Sequence, residues 1–205
     1  MFLGVNISIS DNGVGGVPLL GLCVGEVLDR AASAYPNQPA LVVCHQNRRY
    51  TYSEFRAEVE LTARGFLHLG VHKGDRVGVW ATNYAEWVIA QFATAKIGAI
   101  LVNINPAYRA YELEYVLRQS ECQTMVLIWG FRDCDYVSTL AGICPEVETS
   151  GAGDLSSEKL PHLRNLIFVG DGGTARHVPL ERPRGNGPTC SGAGLENKGG
   201  IARLR

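Results

Sequence analysis

The chain has 205 residues, 46% of them hydrophobic and 19% charged, the balance of a globular protein and not of a disordered one. A net charge of −1 gives no electrostatic hold on nucleic acid or on an anionic membrane surface. No stretch reaches the ~18–20 unbroken apolar residues of a transmembrane segment; the best, residues 87–102, is interrupted by Gln91 and Lys96.

The first basic residue is Arg30, so the start of the chain lacks both the charged opening of a secretory signal and the Arg-rich character of a mitochondrial presequence. As written, the chain is expected to stay in the cytosol, where Asn6-Ile7-Ser8 is a glycosylation triplet in form only. The cysteines at 23, 44, 122, 134, 144 and 190 form no C-x-x-C pair and lie mostly in apolar runs, which predicts free buried thiols. His68 and His72 are four apart with Gly70 between them, and they have no ligand-type neighbours that would make a metal site.

From Val24 the apolar residues recur at helical spacing, with Val24, Val27, Leu28, Ala31, Ala32 and Tyr35 on one face, until Pro36-Asn37 stops the helix. Residues 40–44 (ALVVC) read as a buried strand and 50–52 (YTY) as its hairpin partner. Ser53 is the expected N-cap of the next helix, with Glu54 in its first turn. That helix carries Phe55, Val59, Ala63, Phe66 and Leu67 on one face and ends at Gly70.

A second cycle comes next. Residues 76–80 (RVGVW) form a strand, and Asn83 caps a helix expected to bury Trp87, Val88, Phe92 and Ala95 before Gly98 closes it. Residues 99–104 form another strand, which must end or reach an edge at Pro106 because proline has no N–H to donate. Helices at 110–120 and 133–144 and strands at 124–128 and 163–170 complete the series. Strand and helix alternating through short connections predict an α/β fold, a mostly parallel sheet flanked by helices.

The expected domain plan is a flexible N-terminus at 1–19, a folded region at 20–170 and a tail at 171–205. Residues 1–170 hold 13 Lys and Arg against 17 Asp and Glu, whereas 171–205 hold 6 against 3. The tail has no aromatic residue, and 11 of its 35 residues are Gly or Pro, which predicts disorder.

Residues 48–55 (RRYTYSEF) resemble the first core motif of the adenylate-forming acyl-CoA synthetases, with Thr51, Tyr52, Ser53 and Glu54 in place and Phe55 where that family has Leu. Residues 70–108 are similar to the next block of that family, from Gly-x-x-x-Gly-Asp-x-Val through a Trp-containing helix to Asn105-Pro106. Asn-Pro-Ala-Tyr at 105–108, followed by Glu-Leu-Glu-Tyr-Val-Leu at 112–117, resembles the medium-chain fatty acyl-CoA synthetase branch. The resemblance covers residues 20–170 and implies the first part of an AMP-binding domain. It also implies fatty acid, ATP, Mg²⁺ and coenzyme A as substrates and cofactors of the complete enzyme, and a mitochondrial location in place of the cytosolic one.

That reaction joins a carboxylate to ATP and passes the acyl group from AMP to coenzyme A. It needs a phosphate-holding loop, in this family Thr-Ser-Gly-Thr-Thr-Gly-x-Pro-Lys-Gly. Residues 190–199 match it at Ser191, Gly192, Lys198 and Gly199, but have Leu195 for the third Gly, Asn197 for Pro, and neither Thr hydroxyl. A second partial match at 149–154 has no Lys-Gly in register, and no Rossmann or P-loop string occurs. Glu54, Asp75 and Glu86 read as capping or solvated carboxylates and not as catalysts.

The sequence therefore assigns no residue to catalysis, to a cofactor or to a metal. Three readings stay open: an N-terminal piece of a fatty acid–CoA ligase that is inactive alone, a non-enzymatic module pairing with full-length synthetase or itself through an exposed sheet edge, and a nucleotide-binding domain using Ser191–Gly199.

Overall fold

The computed structural model describes residues 20–150, 154–170 and 175–176. The N-terminus at 1–19 and the partial loop match at 190–199 lie outside them, as does the tail except for one two-residue strand. In chain order the elements are α1 (Val24–Ala34), β1 (Pro39–Val43), β2 (Arg48–Thr51), α2 (Tyr52–His68), β3 (Arg76–Trp80), α3 (Ala85–Ile97), β4 (Ile100–Asn103), α4 (Ala110–Gln119), β5 (Thr124–Leu127), β6 (Gly130–Phe131), β7 (Cys134–Asp135), α5 (Tyr136–Ile143), β8 (Asn165–Val169) and β9 (Ala175–Arg176).

The main sheet has five strands in the order β4-β3-β5-β8-β9. The first four run parallel, with Val77 opposite both Leu101 and Thr124, and Val126 opposite Ile167. Only β9 is antiparallel; two residues of the expected tail thus extend the ordered sheet past Gly170. Every residue of β5 and β8 is buried, as in a sheet covered on both faces. Right-handed crossovers from β3 to β4 and from β4 back to β5 put α3 and α4 on opposite faces. Accordingly α1, α2 and α3 pack together on one side, and α4 against α5 on the other. This is the α/β architecture expected from the sequence.

The β1–β2 hairpin stands apart, packed on α2 and touching α3. It turns through a short 3₁₀ segment at Cys44–Gln46 and Asn47 at φ 50°. Cys44 therefore leaves the strand and is exposed, as is Cys23; of the thiols expected to be buried, Cys122, Cys134 and Cys144 are so, and Cys190 lies outside the described residues.

Several local expectations are corrected by packing. The first helix buries Gly25, Leu28 and Ala32 and turns Val24, Val27 and Tyr35 outward, because only a narrow stripe meets α2 and α3. Gly25 lies where a Cβ would stand 3.0 Å from the Lys96 Cγ, so glycine lets α1 approach α3 closely there without displacing that side chain. Leu67, near the end of α2, is likewise exposed. Thr51, not Ser53, caps α2, and Tyr84, not Asn83, occupies the N-cap of α3. The last helix begins at Tyr136 and not at 133, because residues 130–135 make the β6–β7 hairpin and Asp135 then caps α5.

The third helix is enclosed by α1 and α2 as well as by the sheet, so its smallest residues occupy the closest contacts. Ala85, Ile89, Ala90, Ala93 and Thr94 are buried, while Trp87, Val88, Phe92 and Ala95 are only partly so. Phe92 meets Phe55 of α2 edge to face at 5.3 Å. Lys96 ties the layer together, its Nζ lying 2.6 Å from Asp29 Oδ1 on α1 and 3.9 Å from Glu60 Oε1 on α2. Gly98, at φ 74°, ends the helix in the left-handed conformation that glycine adopts without strain.

Candidate functional site

The winding of the sheet reverses beside β3: the chain leaves β3 for β4 on one side and returns to β5 on the other. In open α/β sheets such a reversal opens a crevice outside the carboxyl ends of the strands. Here it is a cavity of about 670 Å³, walled by residues 81–83 after β3, Asn103 at the end of β4 and 104–107 after it, Trp87 of α3, and Phe131 and Arg132 of the hairpin after β5.

One wall is the Asn105-Pro106 turn. The Asn105 side-chain Oδ1 accepts the Ala107 N–H at 2.9 Å, and the Asn105 carbonyl accepts the Tyr108 N–H at 3.0 Å. Beneath it, Trp80 at the end of β3 and Tyr136 at the start of α5 lie in parallel, ring centroids 3.5 Å apart and planes within 6°. Both are fully buried, and both direct their polar end at the turn. Trp80 Nε1 donates to the Asn105 carbonyl at 3.1 Å, and the Tyr136 hydroxyl donates to the Pro106 carbonyl at 2.7 Å. Burial pushes the Tyr136 phenol up to about 12, so it remains a protonated donor through neutral pH.

The opposite wall is the β6–β7 hairpin. Gly130 is required there, since a Cβ would fall 2.4 Å from the Cys134 carbonyl oxygen. Arg132 takes φ 55°, and its guanidinium carbon stands 5.0 Å from the centre of the Phe131 ring. The next residue, Asp133, is held by Arg109, the N-cap residue of α4, whose Nη2 donates to its Oδ1 at 2.7 Å. That hydrogen bond holds the Asp133 carboxyl below its ordinary value and raises Arg109 in return.

Among the described residues, Arg132 is the one charged side chain lining the cavity, beside the amides of Asn83, Asn103 and Asn105, the Thr82 hydroxyl and the Trp87 and Phe131 rings. Such a wall can hydrogen-bond and counter negative charge. Those residues include no carboxylate, lysine, histidine or thiol, and so no general base of ordinary kind.

None of the three carboxylates weighed in the sequence lines this cavity. Glu54 closes the cap of α2, accepting the Thr51 N–H at 2.8 Å and its hydroxyl at 2.9 Å. Asp75 accepts the His72 N–H at 2.8 Å in the turn before β3. Glu86 joins α3 to the β1–β2 hairpin: its Oε1 is 2.9 Å from Arg48 Nη1, and its Oε2 accepts from Gln46 Nε2 at 2.9 Å. His68 and His72 belong to no cluster, and among the described residues no group of three His, Cys, Asp or Glu could hold a metal. Sequence reasoning did not bring Trp80, Tyr136, Phe131 and Arg132 together, because residues 133–135 look like the start of a helix until Asp135 is recognised as its cap, which hides the hairpin at 130–135.

An open parallel sheet wound about a reversal point, with a polar crevice at its carboxyl edge, defines a ligand-binding type of α/β domain. Residues 28–176 match the AMP-binding enzyme family, and the chain belongs to that family. It is 45% identical over 151 residues to the mitochondrial medium-chain acyl-CoA ligase ACSF2 of Rattus norvegicus, covering 74% of this chain and 25% of that protein. The counterpart from Homo sapiens is 44% identical over 146 residues, covering 71% of this chain and 24% of that one. The N-terminal domain of FACL13 from Mycobacterium tuberculosis shares the fold, with a TM-score of 0.59 and 23% identity over 72% of this chain and 34% of that structure. The chain thus spans about a quarter of the length of the curated relatives it matches.

Proposed function

We propose that residues 20–170 are the first subdomain of an AMP-forming fatty acid–CoA ligase, and that the crevice receives an adenine nucleotide, the part that ATP and coenzyme A have in common. The observation that carries this is the make-up of the crevice: one guanidinium and three amides suit a phosphorylated ligand, and two aromatic rings suit a base. A fatty acyl chain would leave those polar groups desolvated without partners.

We infer that the chain does not turn over by itself, because activation of a carboxylate needs a phosphate-holding loop, and the partial match at 190–199 has Leu195 for the third Gly, Asn197 for Pro and neither Thr hydroxyl. Mg²⁺, ATP and coenzyme A are then requirements of the complete ligase, and a mitochondrial location is inferred from the two ACSF2 relatives.

The test is binding and turnover by the purified chain. We expect no acyl-CoA from a medium-chain fatty acid, ATP, Mg²⁺ and coenzyme A. We also expect measurable calorimetric binding of coenzyme A or ATP, weakened roughly ten- to a hundredfold by Arg132→Ala, the worth of one charge-assisted hydrogen bond. Product formation would overturn the inactivity, and lack of binding by either nucleotide would overturn the crevice reading.

One observation favours a second reading, pairing with another chain. Among the described residues the fourth strand has a neighbour on one side only, and Ile100 on it is half exposed. A monomer that retains neither itself nor full-length synthetase on a column removes that reading.

A further inference from the structure

The wall of the crevice is held from behind. Pro106 has no N–H, so this turn cannot be fastened to the sheet through that position. It is fastened instead through its carbonyls, at 105 by Trp80 and at 106 by Tyr136, two consecutive oxygens taken by two stacked rings. Trp80 comes from the sheet and Tyr136 from the helix after the opposite wall, so the pair links both sides of the crevice to one rigid unit. Neither ring lines the cavity.

We propose that Trp80 and Tyr136 are positioning residues for the nucleotide ligand, setting the Asn105-Pro106 wall at its working distance from Arg132. This rests on the reading of the crevice as a nucleotide site. With Oδ1 of Asn105 engaged by the Ala107 N–H, the remaining polar group of that amide is a donor. A fixed turn thereby keeps a donor in the same wall set as the guanidinium of Arg132, the combination a phosphate recognises. A loosened turn would have to be ordered again on binding, and affinity would fall by that cost.

A purely structural pair would affect stability alone, and the two roles separate in Tyr136→Phe, which keeps the ring and removes the hydroxyl. The amide of Tyr108, bonded to the Asn105 carbonyl, reports the turn directly by hydrogen exchange. In Tyr136→Phe we expect a melting temperature within a few degrees of the parent and faster exchange at Tyr108. Coenzyme A or ATP affinity should be about three- to tenfold weaker, the worth of one neutral hydrogen bond. Trp80→Phe, which keeps a ring but removes Nε1–H, should act in the same direction. Unchanged Tyr108 exchange in a folded Tyr136→Phe chain would overturn the proposal, and so would faster exchange with unaltered affinity. If the parent chain binds neither nucleotide, the crevice reading fails and the positioning of a nucleotide fails with it, whereas unchanged exchange beside normal parent binding defeats positioning alone.

Discussion

Cys122 has almost no contact with solvent, yet its sulfur is not merely filling space. The Gly78 N–H donates to it at 3.1 Å, and the thiol donates to the Thr124 carbonyl at 3.0 Å, joining β3 to β5. A side chain at 78 would put a Cβ 2.9 Å from this sulfur, so the glycine in mid-strand is the space the thiol occupies. Burial above all pushes the thiol up to about 12 from 9.0, against the pull of the Gly78 N–H and Arg76. Because the folded value is the higher one, the contribution to stability is whole below pH 9 and is lost as pH rises from there toward 12. The melting temperature is therefore expected to fall with pH above 9, and Cys122→Ser, which keeps donor and acceptor but does not ionise there, to fall less steeply. Equal slopes for the two proteins would contradict this. The sequence showed that Cys122 would be buried but not that Gly78 faces it, since the two meet only across strands 44 positions apart.

At the scale of elements, the start of α2 shows what the sequence contained and how it was misread. Thr51-x-x-Glu54 is the reciprocal cap pattern, whereas Ser53 would need Arg56 to play the acid. The structure forms the Thr51 version, with the Thr51 hydroxyl also accepting the Glu54 N–H at 3.3 Å. Thr51→Ala is expected to cost about 1 kcal/mol in urea unfolding at pH 7, and Ser53→Ala, at an exposed position, much less. The Thr51 backbone and hydroxyl donors hold the Glu54 carboxyl below its ordinary 4.5. Its help is thus present above that value and lost as pH falls through the lowered one, so the penalty of Thr51→Ala should shrink in acid. Equal losses for the two alanine variants would show that the helix starts elsewhere. The helices and the parallel strands were legible from their spacing, but the buried faces of α1 and α3 were not: α3 carries apolar residues on every side, and only its neighbours decide which of them are inside.

At the scale of the whole molecule, periodicity identifies strands but does not order them, and the crevice exists only because of their order. Nothing within RVGVW or ILVN says that one is flanked on both sides and the other on one. That difference has a measurable consequence. The third and fifth strands each have two neighbours, β5 is wholly buried, and Val77, Val79, Met125 and Leu127 have no exposed surface. Opening those ladders requires separating both helical layers, so their exchange approaches the global unfolding limit. The fourth strand has a single neighbour among the described residues, and Ile100 and Asn103 at its ends are exposed. Its opening breaks one ladder and uncovers little of the core. Exchange followed by mass spectrometry is therefore expected to protect peptides over 76–80 and 124–127 longest and to label 100–103 distinctly earlier. The contrast should not depend on protein concentration. If 100–103 is as slow as 124–127, and becomes faster on dilution, then the free edge is covered by another copy of the chain, and the pairing reading replaces the isolated subdomain.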